Sequence, residues 1–294
     1  MTRAALVRTL VLTDANAYAN TMTQQTRTPP RFVRGARIAV VWATAAAIAL
    51  AAFLAPRFEQ PEDYHRFADN RTMLGVPNLF DVASNVAFLV VGAMGLYFVL
   101  RGKRADGGPA FSDTAESWGW GVAFAAVALT CCGSAYYHWA PDSARLTWDR
   151  LPMAVGFMSI VAAIVAERIS AKAGLRLLIP LALLGAASVW YWRWSAARGV
   201  ENLNPYGAVQ FGPPLIILLI VVLFPPRYNR SEDLLVAAIL YALAKVAERF
   251  DRDVFIATGG LFSGHTLKHL LAAFAALWIL RMLWLRQPIG AERS

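Results

Sequence analysis

Two histidines four residues apart, His265 and His269 in SGHTLKH, fall on one face of a helix, with their Cβ atoms about 5–6 Å apart. That is the spacing by which a helix offers two imidazoles to one zinc ion. Ser134 and His138, in GSAYYHW, are a second pair at i, i+4, and Asp149 follows in LTWDRLP. Three neutral histidines with one open position form a recurrent catalytic zinc shell, and zinc lowers the pKa of a bound water to roughly 7. A carboxylate such as Asp149 could take that water's proton or orient the water. A hydroxyl such as Ser134 could donate to the oxyanion of a tetrahedral intermediate. Plainer readings compete: Asp149 as the N-terminal cap of a helix entering Pro152, and Ser134 as a small packing residue bonded to its own backbone. Cys131 lies about a turn from Ser134, set back from the ligand position. It is adjacent to Cys132, and the two form neither a disulfide framework nor a CxxC metal pair.

The elements that must position these residues are apolar helices. Of 294 residues, 57% are hydrophobic and 16% charged, and mean hydropathy is +0.45, whereas a soluble domain carries nearer a quarter charged residues. Eight apolar runs stand at about 38–55, 82–100, 118–138, 150–166, 175–192, 208–224, 234–250 and 263–285, long enough to cross a hydrocarbon core about 30 Å thick. Within lipid such runs must be helical, because unpaired backbone groups find no water there. The expected fold is all-α: a polytopic membrane bundle with a single domain over 38–285 and no internal repeat.

The net charge of +9 follows membrane topology rather than suggesting a nucleic-acid partner. With the N-terminus cytoplasmic, 17 Lys and Arg fall on the inner side and 9 on the outer; omitting Arg3 and Arg8, far from any span, leaves 15 against 9. The bias predicts both termini inside. Ser134, His138, Asp149, His265 and His269 then all fall near the outer face, and nothing in their spacing forced that agreement. Residues 1–37 read as a disordered cytoplasmic tail without a signal peptide, with Met22 an alternative start, and 286–294 as a second short tail.

Taken together, Ser134-Ala-Tyr-Tyr-His138, Asp149-Arg-Leu-Pro-Met153 and His265-Thr-Leu-Lys-His269 resemble the alkaline ceramidases, in the wider superfamily of membrane hydrolases that includes the adiponectin-receptor-like proteins. The resemblance covers roughly 78–285, starting at NLFDVASN, whose Ser84-Asn85 is similar to an element of the family's first helix. It implies a seven-helix core plus one extra N-terminal helix here, zinc held by His138, His265 and His269, water held by Asp149, and assistance from Ser134. It implies hydrolysis of the amide bond of ceramide to a sphingoid base and a fatty acid. Arg150 stands where relatives usually have Glu. The loop acids Glu62, Asp63, Asp69 and Asp81 depart from the family's calcium-binding spacing, so a calcium site is doubtful and the loop reads as a solvated acidic segment. The Ala- and Arg-rich composition suggests a bacterial inner-membrane protein, whose substrate could be another lipid amide.

Lys245 and Glu248, at i, i+3 in YALAKVAERF, are expected to pair, with Lys268 as a further partner of Glu248 or a polar support for a ligand histidine. WYWRW at 190–194 reads as an interfacial aromatic belt or the border of a lipid entrance. FGPP at 211–214 and FPPR at 224–227 mark a kink and a helix stop. Two rivals to an amidohydrolase are a non-catalytic receptor-like or lipid-binding protein with structural zinc, and a transporter, which lacks inverted repeats.

Overall fold

The computed structural model describes residues 31–290; the expected tails at 1–30 and 291–294 lie outside the described residues. The chain divides into two compact units, 1–42 and 43–294. The boundary falls inside the first helix, α1 (Arg31–Leu54). Residues 31–42 of the first unit are helical, so α1 starts seven residues before the apolar run at 38; the extra turns carry Arg31, Arg34 and Arg37, good helix formers.

The second unit is all-α among its described residues, apart from one hairpin of two-residue strands, β1 (Thr72–Met73) and β2 (Val76–Pro77). After it come α2 (Leu79–Ala83), α3 (Val86–Arg101), α4 (Thr114–Trp139), α5 (Ser143–Arg168), α6 (Ala171–Ala196), α7 (Asn204–Leu223), α8 (Glu232–Arg249), α9 (Asp251–Ala257) and α10 (Gly264–Leu285). Among the described residues, including α1, seven segments are long and apolar enough to cross a membrane, with α2 and α3 counted as one. The protein is a multi-pass helical bundle. The eighth expected span corresponds to α8, whose 18 residues include five charged ones, Glu232, Asp233, Lys245, Glu248 and Arg249. It packs along α10, which covers its polar side.

Helix α5 is the centre of the bundle, in contact with α4, α6 and α7. Small residues let the backbones approach: a methyl group on Gly119 would stand 2.8 Å from the Ala163 backbone, and one on Gly174 would stand 2.5 Å from the Ala162 carbonyl. Residues 43–54 of α1 stay unburied, as an accessory helix facing lipid would. Pro213 and Pro214 lie inside α7, which stops at Leu223 ahead of Pro225.

Two expectations need correction. Trp192 is not part of an exposed aromatic belt: it is fully buried, and its Nε1 donates to Glu201 Oε1 at 2.5 Å, while Trp190, Tyr191 and Trp194 are exposed. The acidic loop is not uniformly solvated either. Glu62 and Asp63 are exposed, but Asp69 is buried against Arg71 (2.7 Å) and Asp81 is buried in the bundle.

Candidate metal centre

His138 ends α4, and His265 and His269 open α10. Their relative exposures are 0%, 4% and 2%, and one ring nitrogen of each lies within 4.8 Å of the others. Among the described residues this is the one group of three or more metal-ligating side chains so placed. Ring centroids are separated by 4.7, 4.9 and 5.0 Å. Three buried imidazoles this close, with no carboxylate among them, can stay together only as neutral rings or around a cation. Both ring nitrogens of His138 and Nε2 of His269 are buried without a hydrogen-bond partner. A buried acceptor left unpaired is costly, and a metal ion would satisfy these nitrogens. The residues therefore fit a divalent cation, and an all-imidazole set suits zinc.

The tautomer of His269 is fixed from outside the cluster. Ser84 Oγ donates to the Asp81 carbonyl at 3.2 Å and lies 2.8 Å from His269 Nδ1. With its proton committed, Ser84 accepts from Nδ1–H, and the Nε2 lone pair turns inward, as a second layer of bonds does around metal ligands. Asp81 is held in turn by Ser263 Oγ (3.0 Å) and Thr266 Oγ1 (2.6 Å), which donate to its Oδ1 from the start of α10.

Two glycines bring the helices to the site. A methyl group on Gly133 would stand 2.0 Å from the Trp148 carbonyl oxygen, and one on Gly264 would stand 2.2 Å from that of Ala247. Pro152, four residues past Trp148, has no N–H, so the ordinary helix bond to that carbonyl cannot form. The backbone of α4 packs against the freed carbonyl, and the residues beside the crossing are Ser134 and Asp149. The Ser134 hydroxyl lies beside the Asp149 carboxylate. Both are buried.

Asp149 is not the cap of its helix. That place belongs to Asp142, whose Oδ1 accepts from Arg145 N at 2.7 Å, and α5 begins at Ser143, so Asp149 lies in the second turn with Pro152 inside the helix. The predicted boundary was late because LTWDR is too polar to read as part of an apolar run. Cys131 is half-buried and Cys132 exposed, apart from the histidine group.

The segment 58–78 closes the site, and its role was not read from sequence. Phe67 packs against His138 in a tilted contact and against His265 edge-to-face, each at 4.6 Å between centroids. His65 bridges α4 and α5, with Nδ1 3.0 Å from Tyr137 Oη and Nε2 3.1 Å from Ser143 Oγ. Burial lowers the His65 pKa from its ordinary value and the Arg150 guanidinium lowers it further, with Asp142 opposing. Asn78 Nδ2 donates to the His138 carbonyl at 2.8 Å, satisfying a helix-end acceptor. Asp251 accepts from Ala68 N (2.8 Å) and His265 N (2.7 Å), tying the segment to α10. Arg150 donates to Gln60 Oε1 (2.5 Å) and faces the rings of Trp192, Tyr206 and Tyr64 at 4.5–5.6 Å.

Lys245 and Glu248 pair as expected, Lys268 Nζ bonds Glu248 Oε1 at 3.0 Å, and Tyr64 Oη donates to the same oxygen at 3.1 Å.

On the far side of the histidines lies an apolar cavity of about 180 Å³. Its wall includes Thr130, Met153, Ala272 and Ala276, one to two turns along from Ser134, Asp149 and His269 on the same helices. Phe88, also in the wall, has its ring 6.0 Å from that of His269.

Comparison with protein-family models gives no match, and comparison with curated proteins gives none.

Proposed function

We propose that the protein is an integral-membrane, zinc-dependent amidohydrolase that cleaves the N-acyl amide bond of ceramide or a related lipid, releasing a free fatty acid and an amine. The observation that carries this reading is the placement of an apolar cavity one to two turns along the same helices from the buried histidine cluster and Asp149. An amphiphile would place its chain in the cavity and its amide beside the polar groups. The motifs shared with the alkaline ceramidases support the same chemistry.

His138, His265 and His269 would hold the metal. Zinc in such a shell polarises a carbonyl and activates water at neutral pH. Asp149 holds the attacking water and accepts its proton, then returns it to the departing amine. Ser134 donates to the oxyanion as charge develops. Phe67 and the 58–78 segment keep bulk water off the histidines, which strengthens each electrostatic contact inside. The charge bias of the loops, with α8 counted as an eighth span, supports both termini on the cytoplasmic side and the site near the outer face, and the Ala- and Arg-rich composition supports a bacterial inner membrane.

The test is fatty-acid release from a panel of N-acyl lipids, ceramides first, by purified full-length protein loaded with zinc. Hydrolysis that is lost in His265→Ala supports the reading. No hydrolysis of any N-acyl lipid by protein that holds zinc would favour the receptor-like alternative.

A further inference from the structure

The end of the bundle opposite the histidines carries a second polar cluster that the proposed hydrolysis does not use. Arg286, just past α10, is 1% exposed. Its Nη1 pairs with Glu167 Oε1 at 2.6 Å, but Nε and Nη2 are buried without a partner. Arg168, at the end of α5, donates to the Phe224 carbonyl (3.0 Å) and Ser231 Oγ (2.6 Å) and has no carboxylate within 4 Å among the described residues. Arg227 pairs with Glu116, which also accepts from Tyr228 Oη at 2.5 Å. The three guanidinium groups and Glu167 line one small cleft with Tyr228 and Ser231. Its interior, about 10 Å³, is room for a single water-sized group.

Three guanidinium groups meet two carboxylates here, which leaves one positive charge unmatched, and two buried nitrogens of Arg286, Nε and Nη2, have no hydrogen-bond acceptor although the guanidinium lies 3.9 Å from the centre of the Tyr228 ring. A phosphate oxygen answers both deficits, because planar guanidinium N–H donors match oxyanion geometry. In a bundle that spans a membrane, helix ends reach the depth of lipid phosphates, and basic pockets between helices are where headgroups bind.

We propose that this cleft binds a phosphate oxyanion, presented by the headgroup of an anionic phospholipid, with one phosphate oxygen entering between Arg168 and Arg286. The bound lipid then fastens the α7–α8 connection to the ends of α5 and α10. The site is independent of the histidine centre and of any hydrolysis there.

Native mass spectrometry of the full-length protein in detergent tests this, with dioleoylphosphatidylglycerol, dioleoylglycerol and inorganic phosphate as probes. One phosphatidylglycerol is expected per wild-type chain, and no dioleoylglycerol. Arg168→Gln should weaken lipid binding at least about tenfold, the scale of a lost charged hydrogen bond; Arg168→Lys should recover part of it. Arg227→Gln, at a side chain 39% exposed, should weaken it too and serves if Arg168 variants fail to fold. Arg101→Gln, on an exposed arginine outside the cleft, should change nothing. Inorganic phosphate that displaces the lipid and raises Tm of wild type but not of Arg168→Gln would keep the oxyanion site and assign it to free phosphate. Equal lipid binding by wild type, Arg168→Gln and Arg227→Gln would overturn the proposal, as would binding of neither probe.

Discussion

Lys268 Nζ lies 2.9 Å from His265 Nε2, and the same ammonium bonds Glu248 Oε1 at 3.0 Å. A cation is thus held against one of the three imidazoles proposed to bind a metal, and Glu248, shared with Lys245, keeps it there. A unit charge near a dication is repelled by about 8 kcal/mol at 4 Å and an effective dielectric of 20. Lys268→Gln removes the charge and leaves an amide that can accept from the N–H of a metal-bound His265. It should tighten zinc binding at least about tenfold, measured by competition with a chromophoric chelator. Glu248→Gln strands both lysines and should weaken it. Unchanged affinity in both variants would show that the charges do not sense the site.

Metal content is the most direct check on the cluster. Purified protein should carry about one zinc per chain, since the three imidazoles offer one tetrahedral shell with an open position. His265→Ala and His269→Ala should each remove most of it by elemental analysis, and a double variant with normal zinc content would eliminate the site. Chelation should also lower Tm, because an ion bound only to the folded state stabilises it by mass action.

The crossing of α4 and α5 gives a prediction about packing. Gly133→Ala drives a methyl group into the Trp148 carbonyl, so the backbones must separate. Overpacking of this kind costs about 1–3 kcal/mol, and here it also parts Ser134 from Asp149. Gly121→Ala in the same helix meets its nearest neighbour at 3.6 Å and should be neutral or slightly stabilising by helix propensity. Thermal unfolding in detergent compares the two; equal Tm values would contradict the close contact.

Much of this site was legible in the sequence because it is periodic. The i, i+4 pairs of α4 and α10 predict shared faces, and apolar run lengths predict spans. Lys245, Glu248 and Lys268 could be paired on paper because charges at membrane depth need partners. What stayed hidden depends on contacts between distant segments. Phe67, His65 and Asn78 lie in a loop whose composition reads as solvent-exposed, and only the packing of that loop on α4, α5 and α10 shows them covering the histidines. Ser84 was visible as part of a resemblance, but its control of the His269 tautomer needs two backbones side by side. Trp192 looked interfacial because its neighbours are; the helix turns it inward onto Arg150.

His65 should make the covering segment sensitive to acid. Its pKa is lower in the folded protein than the ordinary value of about 6.5, so the unfolded segment binds more protons in that range and stability rises with pH. The contribution of neutral His65 is present above the unfolded value and is lost as pH falls through it toward the folded value. The protection of amides in 58–78, taken relative to their intrinsic exchange rate at each pH, should therefore fall below about pH 6.5, and His65→Gln should remove that pH dependence. An unchanged profile in the variant would reassign it to other groups.

Asp149→Asn separates chemistry from structure. The substitution nearly keeps size and shape and leaves the three histidines in place, so zinc should remain bound and Tm should change little. Ser134 can still donate to the amide oxygen. The variant cannot take a proton from water or return one to the departing amine, so kcat for fatty-acid release should fall at least 10²-fold, within the usual contribution of general acid–base catalysis. Ser134→Ala should lose less than Asp149→Asn. Both variants matter because Asp149 is no helix cap: Asp142 holds that place, so a large loss of turnover in Asp149→Asn cannot be laid to fraying of α5. Turnover that persists in Asp149→Asn, with zinc retained, would remove Asp149 from the reaction and leave the histidine cluster to act on water without it.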